Sequence, residues 1–391
     1  MLNCLLVGHA YDVYILKKIM LMFTYETYII VVLLKLRYHK KPIYHGNKSM
    51  AETKNIDEMA AIISDKIFTE MKWKLNVNYM DINWKCCDKF HDKDTHPTDL
   101  VFSYVDPYTE LTQYIQTDLK SYQKSSISPL KIGNAIKSLA MQVKCARESA
   151  EWAGFYREGE SKYGLHGMLF IYNNDDAYDR DLLETIESKS THEYIMPKDS
   201  TLSIFTPKLI RFLMTVVENI KERRNIETDE SDASVWKKIP KREECSFYYP
   251  DKHNKCVSDS QHHSATIEMI TSGMLLYSYE HPTHKKKILN IFWDELIDSE
   301  SYFIYLFEFI FNYQMLNLFE RIYVITPFSS TSIMYFTKAQ KIYKSQYAIT
   351  ETQREKLGKV ELISMDTIKT SLFPYPILSK GISRHLIKGD V

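Results

Sequence analysis

Little in this chain invites the commoner enzyme readings. Glycine is scarce, 11 in 391 residues, and the chain holds no Gly-rich phosphate loop, no nucleophile elbow and no internal repeat. Nucleotide cradling by a P-loop, α/β-hydrolase chemistry and solenoid architecture are therefore set aside. Net charge is also missing, because fifty basic side chains are matched by fifty acidic ones. Any contact with nucleic acid must then rest on a local basic groove rather than on the protein's overall field. Six cysteines without regular spacing make a disulfide framework a poor reading and point to a reduced, cytosolic setting. Long hydrophobic runs are lacking too. Residues 1–37 are apolar, but Lys17, Lys18 and Glu26 interrupt them, and the longest clean run falls short of the ~20 residues of a membrane span. No small-residue cleavage site follows a single apolar core, so no signal peptide and no stable membrane insertion are expected. Met50-Ala51-Glu52-Thr53 reads as the natural start of the folded part. Residues 1–50 then read as an apolar extension, poorly ordered or wrongly assigned.

What the chain does have is a hairpin. Leu100 to Val105 is a β-prone run, Tyr114 to Tyr122 is another, and Asp106-Pro107-Tyr108-Thr109 between them is turn chemistry, with proline presetting φ and aspartate capping its own backbone. In the second strand Ile115, Thr117 and Leu119 face one way, and Gln116, Asp118, Lys120 and Tyr122 the other. A hairpin centred between Tyr108 and Thr109 pairs positions summing to 217, which sets Asp99 opposite Asp118. Their Cβ atoms should then lie about 4.5–5.5 Å apart. Two carboxylates that close repel, so one takes up a proton or a cation sits between them. A lysine two residues on, on the same face, suits a site handling a phosphate and its metal ion. As an isolated triplet, Asp-x-Lys is equally a solvated charge pair on a strand.

Around the hairpin, Asn55 to Met71 reads as an amphipathic helix, with Ile56, Met59, Ile63, Ile67 and Met71 at helical spacing. Glu58 stands three residues after Asn55, as in a capping box. Lys72 to Asp81 alternates loosely and reads as the first strand of the sheet. Ser128-Pro129 opens a long helix with serine at N-cap and proline at N1; Ile132, Ile136, Leu139, Val143 and Ala146 form its buried stripe. Lys131, Lys137, Lys144 and Arg147 lie off that stripe, either contacting a phosphate backbone or simply solvated. Gly167 to Tyr172 is a buried strand ending in the acidic loop Asn173 to Asp176, and Pro207 to Arg224 is another helix. The order helix, three strands, helix, strand over 55–172 is αβββαβ.

Cys86, Cys87, His91 and His96 are dense enough to raise zinc, but their spacings fit no closed tetrahedral pattern, and small buried thiols with a loop histidine account for them. Cys245, His253, Cys256, His262 and His263 likewise match no zinc module. In the second half, Ser272–Tyr279, Lys287–Phe292, Ile322–Thr326 and Val360–Ser364 read as strands, and Ser301–Phe319 as an aromatic-rich helix, wholly buried or a docking surface. This suggests α/β architecture with a partly parallel sheet. The twenty-eight tyrosines belong mostly to core or interface. Three regions are expected: 1–50, 51–225, and a second α/β domain of unknown role over 226–391.

The acid at a strand start and the Asp118-Leu119-Lys120 triplet on the next strand resemble the active site of the PD-(D/E)XK nuclease superfamily. Here Thr98 separates Pro97 from Asp99, a departure that leaves the chemical groups in place. The resemblance implies a restriction-endonuclease-like αβββαβ core, a mixed central sheet flanked by helices. It implies catalysis by Asp99, Asp118 and Lys120, with Glu58 reaching the site from the preceding helix. Mg²⁺ (or Mn²⁺) would be held by Asp99, Asp118 and the backbone carbonyl of Leu119. It further implies substrate contacts from Ser121, Tyr122 and Gln142. The wording HPTDLVFSY and TDLKSY is similar to the nuclease component of GAPS-type two-gene anti-phage defence systems. That similarity implies cleavage of invading DNA in the bacterial cytoplasm and a protein partner encoded by a neighbouring gene, and it leaves homo-oligomerisation open. The rival readings are a non-catalytic α/β interaction module within a larger complex and a membrane-tethered protein using residues 1–37.

Overall fold

The computed structural model describes residues 61–86, 93–183, 197–226, 233–250, 263–295, 297–347 and 350–368. Residues 1–60, and with them Asn55, Glu58 and the apolar N-terminal stretch, lie outside that set, as do Cys87, His91, His253, Cys256 and His262.

Two five-stranded mixed sheets organise the described residues. The first is built from β1 (Lys74–Leu75), β4 (Leu100–Val105), β5 (Thr112–Tyr122), β6 (Gly164–Asn173) and β7 (Leu202–Phe205), in that spatial order. The second runs β8 (Cys245–Phe247), β9 (Met274–Glu280), β10 (Lys287–Trp293), β11 (Arg321–Pro327) and β12 (Val360–Met365). A separate antiparallel ribbon pairs β2 (Ile82–Lys85) with β3 (Thr95–Thr98). With helix α1 (residues 61–70) ahead of β1 and helix α2 (Pro129–Glu148) between β5 and β6, the expected αβββαβ order is present, the ribbon being inserted before β4.

The helices form where their signals lie. Ser128 Oγ accepts from Lys131 N at 3.4 Å at the start of α2, and Ile132, Ile136, Leu139, Val143 and Ala146 are all buried. Helix α3 (Ala150–Tyr156) follows α2 after Ser149, helix α4 (Pro207–Arg224) is capped by Thr206, and the short α5 (Ile267–Thr271) by Thr266. Three apolar clusters result. Residues Trp84, Tyr114, Leu169, Ile171 and the stripe of α2 fill the space between α2, α3 and one face of the first sheet. Ile63, Ile67 and Phe68 of α1, Leu213 and Val216 of α4, Phe102, Ile115 and Phe170 of the first sheet and Tyr277, Phe292 and Ile325 of the second belong to one continuous core. Beyond the second sheet, α6 (Glu300–Asn312) and α8 (Ser332–Gln346) cover its other face.

Polar ties cross the shared core. Arg224 donates to both oxygens of Glu70, at 2.8 and 2.5 Å, and to the Tyr277 hydroxyl at 2.9 Å. Arg223 donates to Asn290 Oδ1 at 2.8 Å. One helix end therefore anchors α1 and strands β9 and β10 at once.

Two elements differ from the sequence reading. The alternating stretch 72–81 yields only the two-residue β1, because Lys72 (φ 64°) and Asp81 (φ 51°) adopt left-handed backbone at either end and Val77 is left half exposed. The aromatic helix over 301–319 is broken at Gln314 (φ 52°) into α6 and a short α7 (Met315–Leu318). Phe303, Phe307 and Ile310 are buried in its packing face while Tyr305 is exposed, so it is an ordinary amphipathic helix.

Candidate active site

The hairpin sets the site. Asp106 Oδ1 accepts from the backbone N–H groups of Tyr108 and Thr109 at 2.9 and 2.7 Å, so the turn closes by the aspartate cap that its sequence called for. Leu100 then pairs with Thr117 and Val105 with Thr112, positions that sum to 217. The regular pairing ends at Leu100, and Asp99 stands at the bend between β3 and β4. There its side chain takes over from the ladder: Leu119 N donates to Asp99 Oδ2 at 2.7 Å.

Asp118 and Lys120 project from the same face of β5, and Lys120 Nζ donates to Asp118 Oδ1 at 2.5 Å. Side-chain exposure is 10% for Asp118 and 32% for Lys120, so the pair opens to solvent at its cationic end. Burial pushes the Asp99 carboxyl up to about 7, helped by the charge of Asp118 and by a hydrogen bond between the two carboxyls. The Leu119 amide and Lys120 pull the other way without prevailing. For Lys120, burial disfavours the charged form, but the charge and hydrogen bond of Asp118 outweigh it and raise the ammonium above its usual range. The site thus combines a carboxyl that holds its proton up to about pH 7, a second acid beside it and an ammonium favoured in its charged form.

That donor set is all oxygen, which fits a hard divalent ion such as Mg²⁺ or Mn²⁺ rather than a soft one. A cation placed between the acids would offset the burial and the Asp118 charge that together favour a proton on Asp99.

The remaining expected residues divide. Tyr122 shares the face of Asp118 and Lys120 and lies under Lys131 Nζ, 5.8 Å from its ring centroid. Ser121, by the two-residue period of the strand, falls on the other face, where Asn174 Nδ2 reaches its Oγ at 3.4 Å. Gln142 is buried, and its Oε1 accepts from Gln116 Nε2 at 3.2 Å. Its link to the acids runs through Gln116, two residues before Asp118 on the same face. Glu58 lies outside the described residues.

Sequence reasoning missed what holds this end of the sheet. Gln116 Nε2 donates to Thr98 Oγ1 at 2.8 Å, Trp152 Nε1 donates to Gln116 Oε1 at 2.9 Å, and Trp84 Nε1 donates to Thr98 Oγ1 at 2.8 Å. This buried network pins the residue just before Asp99 to the strand that carries Asp118. The available signal was Gln116 itself, an amide on the buried face of a strand that has to find partners from neighbouring elements.

Residues 50–209 match a family model described as the GAPS4 protein PD-(D/E)XK nuclease domain. The match spans β1 to β7, α2 and the start of α4, and so includes Asp99, Asp118 and Lys120. No curated protein matches the chain. Over the matched segment the resemblance stands, and with it a nuclease-type domain on a mixed sheet flanked by helices.

Proposed function

We propose that this PD-(D/E)XK nuclease domain hydrolyses phosphodiester bonds of DNA in a metal-dependent reaction, acting in bacterial anti-phage defence in the cytoplasm. The observation that carries the reading is the convergence of two acids and one ammonium group at one end of β5. Asp99, Asp118 and the Leu119 carbonyl would hold Mg²⁺ or Mn²⁺, with both acids ionised. Such an ion would supply Lewis acidity and a template for in-line attack on the phosphate. Lys120 keeps its proton, so its work is electrostatic: it orients the attacking water and stabilises charge building on the phosphate oxygens. Tyr122, on the same face and beside Lys131, offers a surface for a sugar or base of the substrate strand. Glu58 joins from the helix before the sheet, and a neighbouring gene supplies a protein partner; Ser121, on the opposite face of β5, and the buried Gln142, bonded to Gln116, act by holding the strand that carries the acids. Regions 51–225 and 226–391 serve as nuclease and companion α/β unit.

The test is cleavage of plasmid and linear DNA with and without Mg²⁺ or Mn²⁺, comparing the parent chain with Asp118→Ala and Lys120→Ala. Metal-dependent cleavage lost in both variants is expected. Cleavage that survives both substitutions sinks the assignment and leaves the interaction-module reading.

A further inference from the structure

The β2–β3 ribbon carries a second cluster of chemistry-bearing side chains, separate from the acids. Cys86 follows β2 directly, and its backbone N–H donates to Asp94 O at 2.9 Å, closing the ribbon at that end. His96 pairs with Trp84 across the ribbon, and the two rings pack with centroids 4.9 Å apart. Cys145 comes from the far end of α2, 59 residues along the chain from Cys86. His96 and Cys145 are each 1% exposed. The two sulfurs lie 3.7 Å apart, His96 Nε2 is 3.2 Å from Cys86 Sγ, and the three donor atoms all fall within 4.8 Å of one another.

These distances have a simple geometric meaning. A tetrahedral zinc with Zn–S bonds of about 2.3 Å and a Zn–N bond of about 2.0 Å has S···S edges of about 3.8 Å and S···N edges of about 3.5 Å. Two thiols in van der Waals contact, or one thiol hydrogen-bonded to the imidazole, would each give one of these separations, so the discriminating feature is the convergence of all three donor atoms. The imidazole presents a ring nitrogen, not a carbon edge, to the sulfur. Charge points the same way, since two thiolates cancel the charge of a divalent ion and leave a buried site neutral. Soft sulfur and imidazole donors select zinc, whereas the all-oxygen set around Asp99 selects a hard ion.

We propose that Cys86, His96 and Cys145 bind one Zn²⁺, with the fourth corner taken by water or another small ligand. The site clamps the ribbon to α2, and the clamped strand β3 runs directly into Asp99. Zinc therefore acts as a positioning element for the segment that presents the acid, while taking no part in hydrolysis.

The test uses the full chain, purified without a metal-affinity tag or chelator, with metal content read by elemental analysis. About one equivalent of zinc per chain is expected. Replacement with Co²⁺ should give the intense near-ultraviolet sulfur-to-cobalt band and the visible bands of a tetrahedral site. Both signals should be lost in Cys86→Ser and Cys145→Ser and kept in Cys245→Ser and Asp118→Ala. X-ray absorption of the zinc-loaded parent protein should show about two sulfur neighbours, a readout that does not depend on any variant folding. A parent chain that takes up neither zinc nor cobalt, a first shell without sulfur, or a cobalt spectrum unchanged in both cysteine variants would each overturn the proposal.

Discussion

The two sheets of this protein share a plan and differ in what they carry. From their first strands, β1 and β8, both run antiparallel, antiparallel, parallel, parallel across five strands. Each is centred on a hairpin followed by a helical crossover. In the first hairpin the outermost pair is Leu100 with Thr117, and one position beyond stand Asp99 and Asp118. In the second the outermost pair is Met274 with Trp293, and one position beyond stand Gly273 and Asp294. Asp294 N donates to Gly273 O at 2.9 Å, so here the backbone ladder continues, whereas at Asp99 the side chain accepts the Leu119 N–H instead. The second hairpin thus keeps one acid and lacks its partner, and Leu296 rather than a lysine follows two residues later. Gly273 holds φ 73°, a conformation that makes an aspartate there costly. A shared strand plan therefore does not by itself bring a pair of acids and a lysine together.

The sharpest way to break this comparison is to remove one acid from each hairpin. Asp118→Asn should lower the DNA cleavage rate by at least about 10²-fold, the scale of losing a group that stabilises developing charge. Asp294→Asn should leave the rate within about twofold, as expected for a residue outside the site. Initial rates of plasmid nicking at saturating Mn²⁺ measure both. Equal losses would mean that the second hairpin takes part in the chemistry.

A pH series sharpens it further. Asp99 is held at about 7 in the folded chain against 3.8 for an ordinary aspartate, and burial pushes Asp294 up to about 6. Each carboxyl holds its proton more tightly folded than unfolded, so each favours the folded, metal-free protein below about pH 4. That contribution is lost as pH rises, through about 7 for Asp99 and about 6 for Asp294. A divalent ion must displace the Asp99 proton. Its affinity should rise about tenfold per pH unit toward 7 and flatten above. Titrations of Mn²⁺ binding from pH 5 to 8.5 test this, with Asp118→Asn removing most of the binding and Asp294→Asn leaving the curve unchanged.

The two sheets should nevertheless melt together, because one core and one arginine join them. Arg224→Met leaves the Glu70 carboxylate, 9% exposed, without its bidentate partner between α1 and β9. A loss of about 3 kcal/mol is expected for breaking a largely buried pair on one side. Denaturant unfolding followed by tryptophan fluorescence and by circular dichroism should show one coincident transition, shifted down. Two separated transitions would show that the sheets are independent.

How much of this the sequence disclosed depends on how local the determinant is. The register of the first hairpin was legible, since a capped Asp-Pro turn and a strict two-residue alternation fix which residues face each other. Helices α2 and α4 were legible for the same reason: Ser128-Pro129 and Thr206-Pro207 are start signals that need no partner. The short β1 was not, because alternation over 72–81 gives no warning of positive φ at Lys72 and Asp81. Nor was the break at Gln314. The Cys86–His96–Cys145 cluster escaped because its members come from a strand end, a ribbon and a distant helix, a proximity that spacing along the chain cannot reveal. The matching strand plan of the two sheets left no trace as a repeat, since topology constrains only which positions are apolar.

The smallest expected effect concerns the surface beside the acids. Lys131 is exposed on the first turn of α2, 5.8 Å from the Tyr122 ring centroid and on the side of the sheet that carries Lys120. If substrate passes over Tyr122, this ammonium neutralises one phosphate. Lys131→Ala should then reduce the slope of log affinity against log salt by about one and weaken binding evenly across sequences. The exposed Lys341 of α8, on the second sheet's outer helix, should have no such effect when changed to alanine. Fluorescence anisotropy with Asp118→Asn protein and a labelled duplex, from about 50 to 250 mM salt, reads both slopes. A slope altered by Lys341→Ala and not by Lys131→Ala would move the DNA path from the first sheet to the second, and with it the meaning of the difference between them.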